Sequence, residues 1–387
     1  MLPLPPCILI TSLLTSIILS PSLSSISNPI TSNLFSVLNE TEHEQVVHCY
    51  DKETGLRAII AIHNTVLGPS LGGTRVWKYS NEVEALQDVL RLSRGMTFKS
   101  SISGINLGGG KAVILADDAV KRDEKFWRKY GEFVNSFNGK YITAEDVGTS
   151  PKEIEYIAKE TKHVAGKPFH LGGSGDPSPF TAYGVYVSMK ASWKKLTGQD
   201  SLSGVKVAVQ GTGHVGQYLI DHLMSEQAIV SIADINQANL DLVTKKYATI
   251  QVVSPESIAT SEVDVYSPCA LGATLNSSSI PQLKCKVVCG AANNQLKDEI
   301  ADGNAIMQRG ILYAPDFLIN AGGVINCYTE AIGEYSKEKT MQFIEPIYNK
   351  VIEIFDKSER DSINPQLAAM AIAKERIENA KLKSLAN

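Results

Sequence analysis

The sequence predicts an α/β protein of two domains with a helical tail, and three observations carry that prediction. Short β-branched runs alternate with amphipathic helical stretches along most of the 387 residues. A stretch rich in Gly and Pro and without periodicity, Gly166 to Pro179, interrupts the pattern. Beyond it a strand runs directly into Gly211-Thr-Gly213-His-Val-Gly216 and a helix, and a second strand ends in an acid. The expected divisions are an extension over 1–39, an α/β domain over 40–175 and a doubly wound sheet of the Rossmann type over 176–325. A helical segment over 326–387 is expected to pack back on the first domain.

Composition excludes several classes. With 43% apolar and 20% charged residues, and 37 Lys and Arg against 41 Asp and Glu, the net charge is −4. That leaves no basic footprint for nucleic acid. The six cysteines are too few and too scattered for a disulfide framework, and Cys285 and Cys289 have no metal-ligand partners at suitable spacing. They read as reduced buried thiols, and no metal is called for.

The first 39 residues stand apart, with no charge before Glu40. The apolar run Cys7 to Leu19 has the length of a signal-peptide core and is too short to span a membrane. It lacks the basic flank of a secretory signal. A cleaved signal, a transit peptide and a misplaced start codon are the readings left open. The cytoplasm is the expected compartment, with organellar or secretory targeting as the alternatives.

Taken in order, Val46 to Tyr50 and Leu56 to Ile62 read as strands. Leu67 to Thr74 is rich in Gly and Pro and reads as an irregular binding loop. Ser80 is the expected cap of a helix whose apolar face is Val83, Leu86, Val89, Leu90 and Leu92. Strands are expected at Lys111 to Leu115 and Lys140 to Thr143, with a helix over Lys125 to Phe137 between them. Asp146 falls just past a strand, before the helix start Thr149-Ser-Pro151. A long connecting helix runs from Ser178 to about Leu196.

Two lysines mark the centre of the first domain. Lys99 and Lys111 flank an otherwise uncharged segment, and Lys111 follows Gly108-Gly-Gly110. Three glycines weaken any regular element, so they imply close backbone approach. A lysine held there is partly desolvated, and a second cation lowers its pKa further. That combination makes a base near neutral pH. A solvated surface loop is the plain alternative.

In the second domain the order strand (205–210), glycines, helix, strand (229–233) and terminal Asp234 fits the dinucleotide fingerprint. Gly211, Thr212, Gly213, His214, Val215 and Gly216 would bring backbone to a pyrophosphate at a helix N-terminus. Asp234 would accept hydrogen bonds from the adenosine ribose and repel a 2′-phosphate. No Lys or Arg follows before Lys245, so the expected cofactor is NAD. Further strands at 263–266, 286–289 and 311–313 end in loops carrying Ala270, Ala291, Asn293 and Asn294, where the nicotinamide half is expected.

Several segments in one order resemble the Glu/Leu/Phe/Val amino acid dehydrogenase family, most closely its leucine-active members. They are Leu67 to Arg75, Gly95-Met-Thr-Phe-Lys99, Gly108 to Ile114, Ile142 to Gly148, Gly175 to Pro179, Ala291 to Gln295 and Ile319 to Asn326. The resemblance begins near Leu34, and the earlier residues have no counterpart in the bacterial pattern. It implies reversible oxidative deamination of an apolar amino acid to a 2-oxo acid and ammonia, in a homo-oligomer. By the same resemblance Lys99 binds the substrate carboxylate, Lys111 activates water and Asp146 exchanges protons with the nitrogen. Gly72, Gly73, Met96, Leu71, Ala144, Asn294, Val324 and Cys327 are the implied substrate neighbours. Cys327 departs from the usual valine, so aromatic substrates, phenylalanine or tryptophan, are the alternative. A non-catalytic NAD-binding protein is the reading from another class.

Overall fold

The computed structural model describes residues 34–386. The apolar run Cys7 to Leu19 lies outside them. Helix α1 (Leu34–Thr41) corrects the expected edge of the extension: Val37 is buried against Ile59, Leu86 and Val89.

A five-stranded sheet forms the first half. Its strands are β1 (Gln45–Asp51), β2 (Leu56–Asn64), β3 (Ser70–Trp77), β4 (Gly108–Leu115) and β5 (Tyr141–Glu145), in the order β1-β2-β4-β3-β5. Strand β2 runs antiparallel to β1 and β4, while β3 is parallel to β4 and β5. Helix α2 (Glu82–Ile102) covers one face, and α3 (Glu124–Asn135) and α4 (Pro151–Ala158) cover the other. The alternation is strict. Ile60, Ala112 and Ile114 pack with Phe126, Trp127 and Tyr130 of α3, whereas Ile59, Ala61 and Val113 pack with Leu86, Val89 and Leu90 of α2. Lys111 shares the parity of Val113, which turns it toward α2.

Three expectations are corrected here. The supposed loop at 67–74 is largely strand β3, because its glycines sit between close neighbours. A Cβ at Gly72 would lie 1.7 Å from the Gly110 oxygen, and one at Gly73 would lie 2.4 Å from that of Glu145. Packing overrides the poor strand propensity of glycine. The cap of α2 is Asn81 rather than Ser80, with its side chain accepting from Glu84 N at 2.9 Å. Lys99 therefore lies within the last turn of α2, not beyond it.

The triple glycine belongs to β4 and serves the protein's own packing. A Cβ at Gly109 would meet Thr97 N and Oγ1 at 2.2 Å, and one at Gly110 would meet the Tyr141 ring at 2.8 Å.

The second half holds β6 (Lys206–Gln210), β7 (Ile229–Ala233), β8 (Gln251–Val252), β9 (Val265–Pro268), β10 (Val287–Val288) and β11 (Leu312–Tyr313). All pair in parallel in the order β11-β10-β9-β6-β7-β8. The order reverses between β6 and β9, which is the doubly wound arrangement with its switch point at the fingerprint. Helix α5 (Ser178–Thr197) leads in, α6 (His214–Ser225) and α7 (Gln237–Lys246) follow β6 and β7, and α8 (Ala301–Gln308) precedes β11. The remainder is α9 (Asp316–Ile319), α10 (Gly322–Ala331), α11 (Lys337–Ile344), α12 (Ile347–Asp361) and α13 (Pro365–Ala386). Helix α13 returns to α2: Ser101 Oγ donates to Ala373 O at 2.7 Å, and Arg376 donates to the carbonyls of Ser101, Gly104 and Ile105. No helix among the described residues is long and apolar enough to cross a membrane.

Two buried histidines lie beneath α2. His43 Nε2 is 2.8 Å from Ser93 Oγ, His63 Nδ1 is 2.8 Å from Thr97 Oγ1, and the rings meet edge to face at 4.8 Å. Burial lowers their pKa values from 6.5 to about 4 and about 3. Both are thus neutral in the fold and take up protons only when it opens, so stability held above pH 6.5 is lost as pH falls toward 4. Each contributes a slope of about 1.4 kcal/mol per pH unit. Urea unfolding between pH 7 and 5 is expected to show that dependence, reduced by about half in His43→Gln. Glycine substitutions give a second check in thermal unfolding. Gly109→Ala is expected to cost about 1–3 kcal/mol by overpacking. Gly95→Ala, inside α2 with nothing within 4 Å of an added Cβ, is expected to stabilise by about 0.4–1 kcal/mol.

Candidate active site

The fingerprint is built by close backbone contacts. Gly211 adopts φ +102°, and an added Cβ would lie 2.9 Å from the Cβ of Ala270. At Gly216 it would lie 2.1 Å from the Gly211 oxygen, while at Gly213 it would meet nothing within 4 Å. The first turn of α6 therefore tucks against β6 with its N-terminal end open, and it carries no acidic residue. Thr212 donates to Asp234 Oδ2 from its amide at 2.7 Å and its hydroxyl at 3.0 Å. Burial works against the Asp234 charge, but the Asn236 and Thr212 hydrogen bonds outweigh it and hold the carboxyl below its usual range. His214 and Val215 open α6, and His214 is near enough to Glu145 to oppose that acid's raised pKa.

The loops after β9 and β10 close on this turn. Cys269 N donates to Gln210 O at 2.7 Å, and Ala291 N donates to Cys269 Sγ at 3.4 Å. Asn320 Nδ2 donates to Ala291 O at 3.1 Å and to Asn293 Oδ1 at 2.8 Å. Asn320 Oδ1 is buried with no hydrogen-bond partner among the described residues.

The two lysines converge across the cleft from these loops. Lys111, on the face of β4 that α2 covers, places Nζ 2.9 Å from Asp146 Oδ2. Arg75 of β3 donates from Nε to the same oxygen at 3.1 Å. Burial disfavours the Asp146 anion, yet Lys111 and Arg75 hold its carboxyl below the ordinary value. Lys99 is partly buried and donates to Asn293 Oδ1 at 3.3 Å, tying the first sheet's helix to the second sheet's edge. Burial brings its pKa down to about 8, with Lys111 adding to the fall and Asp316 opposing it. The lysine whose pKa falls this way is Lys99. Lys111 instead has a carboxylate partner.

The apolar side of the cleft also assembles. Leu71 and Val324 are buried in one cluster, against which Met96 and Cys327 pack, and Ala144 is buried at the end of β5. Burial pushes the Cys327 thiol up to about 12, so it stays protonated. Gly72 and Gly73 are the strand glycines already described, and an added Cβ at Gly73 would come within 2.8 Å of the Asp146 Cβ.

The two asparagines of the pair differ in their contacts. Both are exposed; Asn293, expected at the cofactor, accepts from Lys99, and Asn294 has φ 51° with its carbonyl accepting from Ala273 N. Sequence reasoning also missed three groups. Arg75 is the lone charge of its strand, a signal that was available. Asp316 follows a strand end as Asp146 does. It accepts from Gln295 N at 2.7 Å, and burial raises its pKa to about 6. Asn320 carries no local signal of its own.

The sequence pattern described as Glu/Leu/Phe/Val dehydrogenase, dimerisation domain, matches residues 43–163. That described as Glutamate/Leucine/Phenylalanine/Valine dehydrogenase matches 172–241 and 235–384. Leucine dehydrogenase of Thermoactinomyces intermedius is 49% identical over 345 residues, covering 89% of this chain and 93% of that one. The crystal structure of L-tryptophan dehydrogenase from Nostoc punctiforme superposes with a TM-score of 0.80 at 41% identity, covering 90% of this chain and 99% of that one. Hetero-hexameric glutamate dehydrogenase from Thermus thermophilus shares the fold, with a TM-score of 0.73 at 22% identity, covering 88% and 90% of the two chains. The chain thus belongs to the Glu/Leu/Phe/Val dehydrogenase family and is an NAD(P)-dependent amino acid dehydrogenase.

Proposed function

We propose that this enzyme uses NAD to deaminate an apolar L-amino acid oxidatively, leucine and other branched-chain amino acids first, releasing a 2-oxo acid and ammonia reversibly. The observation that carries the reading is the group Lys99, Lys111 and Asp146 facing the carboxyl-terminal edge of the dinucleotide sheet. When bound, NAD supplies the hydride acceptor. The chain fits it: α6 has an open, acid-free N-terminus for pyrophosphate, and the orphaned Asn320 Oδ1 suits a carboxamide N–H. Asp234, with no basic neighbour before Lys245, favours a free ribose over a 2′-phosphate.

Lys99, paired with an amide oxygen rather than an acid, is free to take the substrate carboxylate. That anion would also favour its charged form. Lys111 acts as the base that removes a proton from water as it adds to the imine carbon. Its partner Asp146 exchanges protons with the substrate nitrogen, and the two divide acid and base work by position. Leu71, Ala144, Val324 and Cys327 offer no cation for a second carboxylate, which disfavours glutamate. The 49% identical leucine dehydrogenase supports a branched-chain substrate. A second reading, an aromatic substrate, draws on Cys327 and on the 41% identical tryptophan dehydrogenase. One methyl-sized difference is worth about 1–3 kcal/mol of discrimination between these substrates.

We also propose a cytoplasmic homo-oligomer. The matched dimerisation pattern and the exposed Tyr50 on edge strand β1 support a subunit contact there. Sedimentation is the check, and a monomer at micromolar concentration would count against it.

A panel of kcat/KM values for Leu, Ile, Val, Phe, Trp and Glu with NAD and NADP tests the whole reading. Branched-chain amino acids with NAD are expected to lead. Absence of turnover with any of them would sink it. Lys111→Ala is expected to lose at least about a hundredfold in kcat while NAD binding, followed by fluorescence, is kept.

A further inference from the structure

Asp146 is held from two sides, and only one of its two cations has a part in the proposed chemistry. Lys111 Nζ and Arg75 Nε both donate to Oδ2, at 2.9 and 3.1 Å. Among the described residues Oδ1 accepts no side-chain or backbone hydrogen bond. Arg75 is itself anchored: its Nη1 donates to Asp88 Oδ2 at 3.0 Å, and that oxygen also accepts from Tyr79 OH at 2.8 Å. Asp88 Oδ1 takes a further bond from Arg91 at 3.0 Å. The guanidinium fork spans from α2 to the end of β5, and its three groups have side-chain exposures of 15 to 23%. An ion pair this sheltered is screened less than a surface pair and depends on its geometry.

We infer that Arg75 is a positioning residue for deamination, fixing Asp146 through Oδ2 so that Oδ1 is left to meet the substrate nitrogen. The reason lies in what each cation can do. A base must shed its proton, and Lys111 in that state offers Asp146 no charge. Arg75 stays protonated throughout, so Asp146 keeps one permanent counter-ion. Its fork also reaches two carboxylates at once, which a lysine cannot do in the same geometry. The charged groups around Asp146 are Lys111 from β4, Arg75 from β3, Lys99 from α2 and its neighbour Glu145. Asp88 and Tyr79 stand behind Arg75. Of the cations, only Arg75 has no expected contact with substrate.

The inference rests on reading Asp146 as the proton-exchanging group, and the test separates the two. The readout is the pH profile of kcat/KM for the best amino acid of the panel, with KM for NAD beside it. Activity that needs ionised Asp146 is lost on the acid side as the carboxyl protonates. Removing Arg75 lets that pKa rise, so in Arg75→Gln the acid limb is expected to move up by about one pH unit. Its kcat is expected to fall about tenfold or more, with KM for NAD unchanged. Arg75→Lys keeps the charge without the fork, and is expected to lose kcat several-fold with its limb between the two. Arg91→Ala, which touches Asp88 but not Asp146, is expected to match the parent enzyme. Wild-type kcat with an unmoved acid limb in whichever Arg75 variant folds overturns the inference. Asp146→Asn decides the rest: full turnover there overturns the reading of Asp146 and the inference with it. Lost turnover with unaltered Arg75 variants overturns the inference alone.

Discussion

Helix α2 lies so close on strand β4 that an added Cβ at Gly109 would sit 2.2 Å from the Thr97 amide and hydroxyl. This one approach sets much of the site. It brings the last turn of α2 over the face of β4 from which Lys111 projects, so Lys99 and Lys111 share a cleft although they come from different elements. The same helix supplies Asp88 to Arg75, and Ser93 and Thr97 to the buried histidines. Gly72 and Gly73 repeat the device on β3, Gly72 against Gly110 of β4 and Gly73 against Glu145 and Asp146 at the end of β5, so that Asp146 reaches Lys111. The glycines make room for side chains to converge, at a cost in strand propensity that packing offsets.

The charges follow from that geometry. Lys99, Lys111 and Arg75 face Asp146 from one helix and two strands, with Asp316 buried behind Lys99 and Asp88 behind Arg75. Burial disfavours the charges of Lys99, Arg75, Asp146 and Asp316, and the opposite charges beside them offset that cost. Lys99 is hydrogen-bonded to an amide oxygen rather than a carboxylate, and its pKa falls to about 8. On the other side of the cleft the fingerprint turn is glycine-rich and free of acids, with Asp234 held by Thr212 of that turn and by Asn236. One half of the cleft is thus lined by charged side chains and the other by backbone.

Elements whose signals are local were legible in the sequence. The fingerprint, α5, α6 and β7 were readable because glycines, apolar periods and the terminal acid occur within some thirty residues of each other. Asp146 was legible as an acid past a strand end. Strand β3 was not, since what permits glycine there is the position of Gly110 and Glu145, neither near it in sequence. Arg75 had visible charge, but its role depends on a carboxylate 71 positions away. Asp316 and Asn320 owe their roles to the cleft itself. Strand β8 has only two residues, too short for any periodicity to register.

Arg376 and Ala373 complete the end of α2 from a point about 270 residues later in the chain. During synthesis, the helix that carries Lys99 therefore waits for α13 before its last carbonyls find the Arg376 donor and Ser101 Oγ finds the Ala373 acceptor. The first sheet can form early, but the end of its most important helix is finished only after the dinucleotide sheet has been made. The loss of a few C-terminal turns would thus be felt at the end of α2, far from the cut.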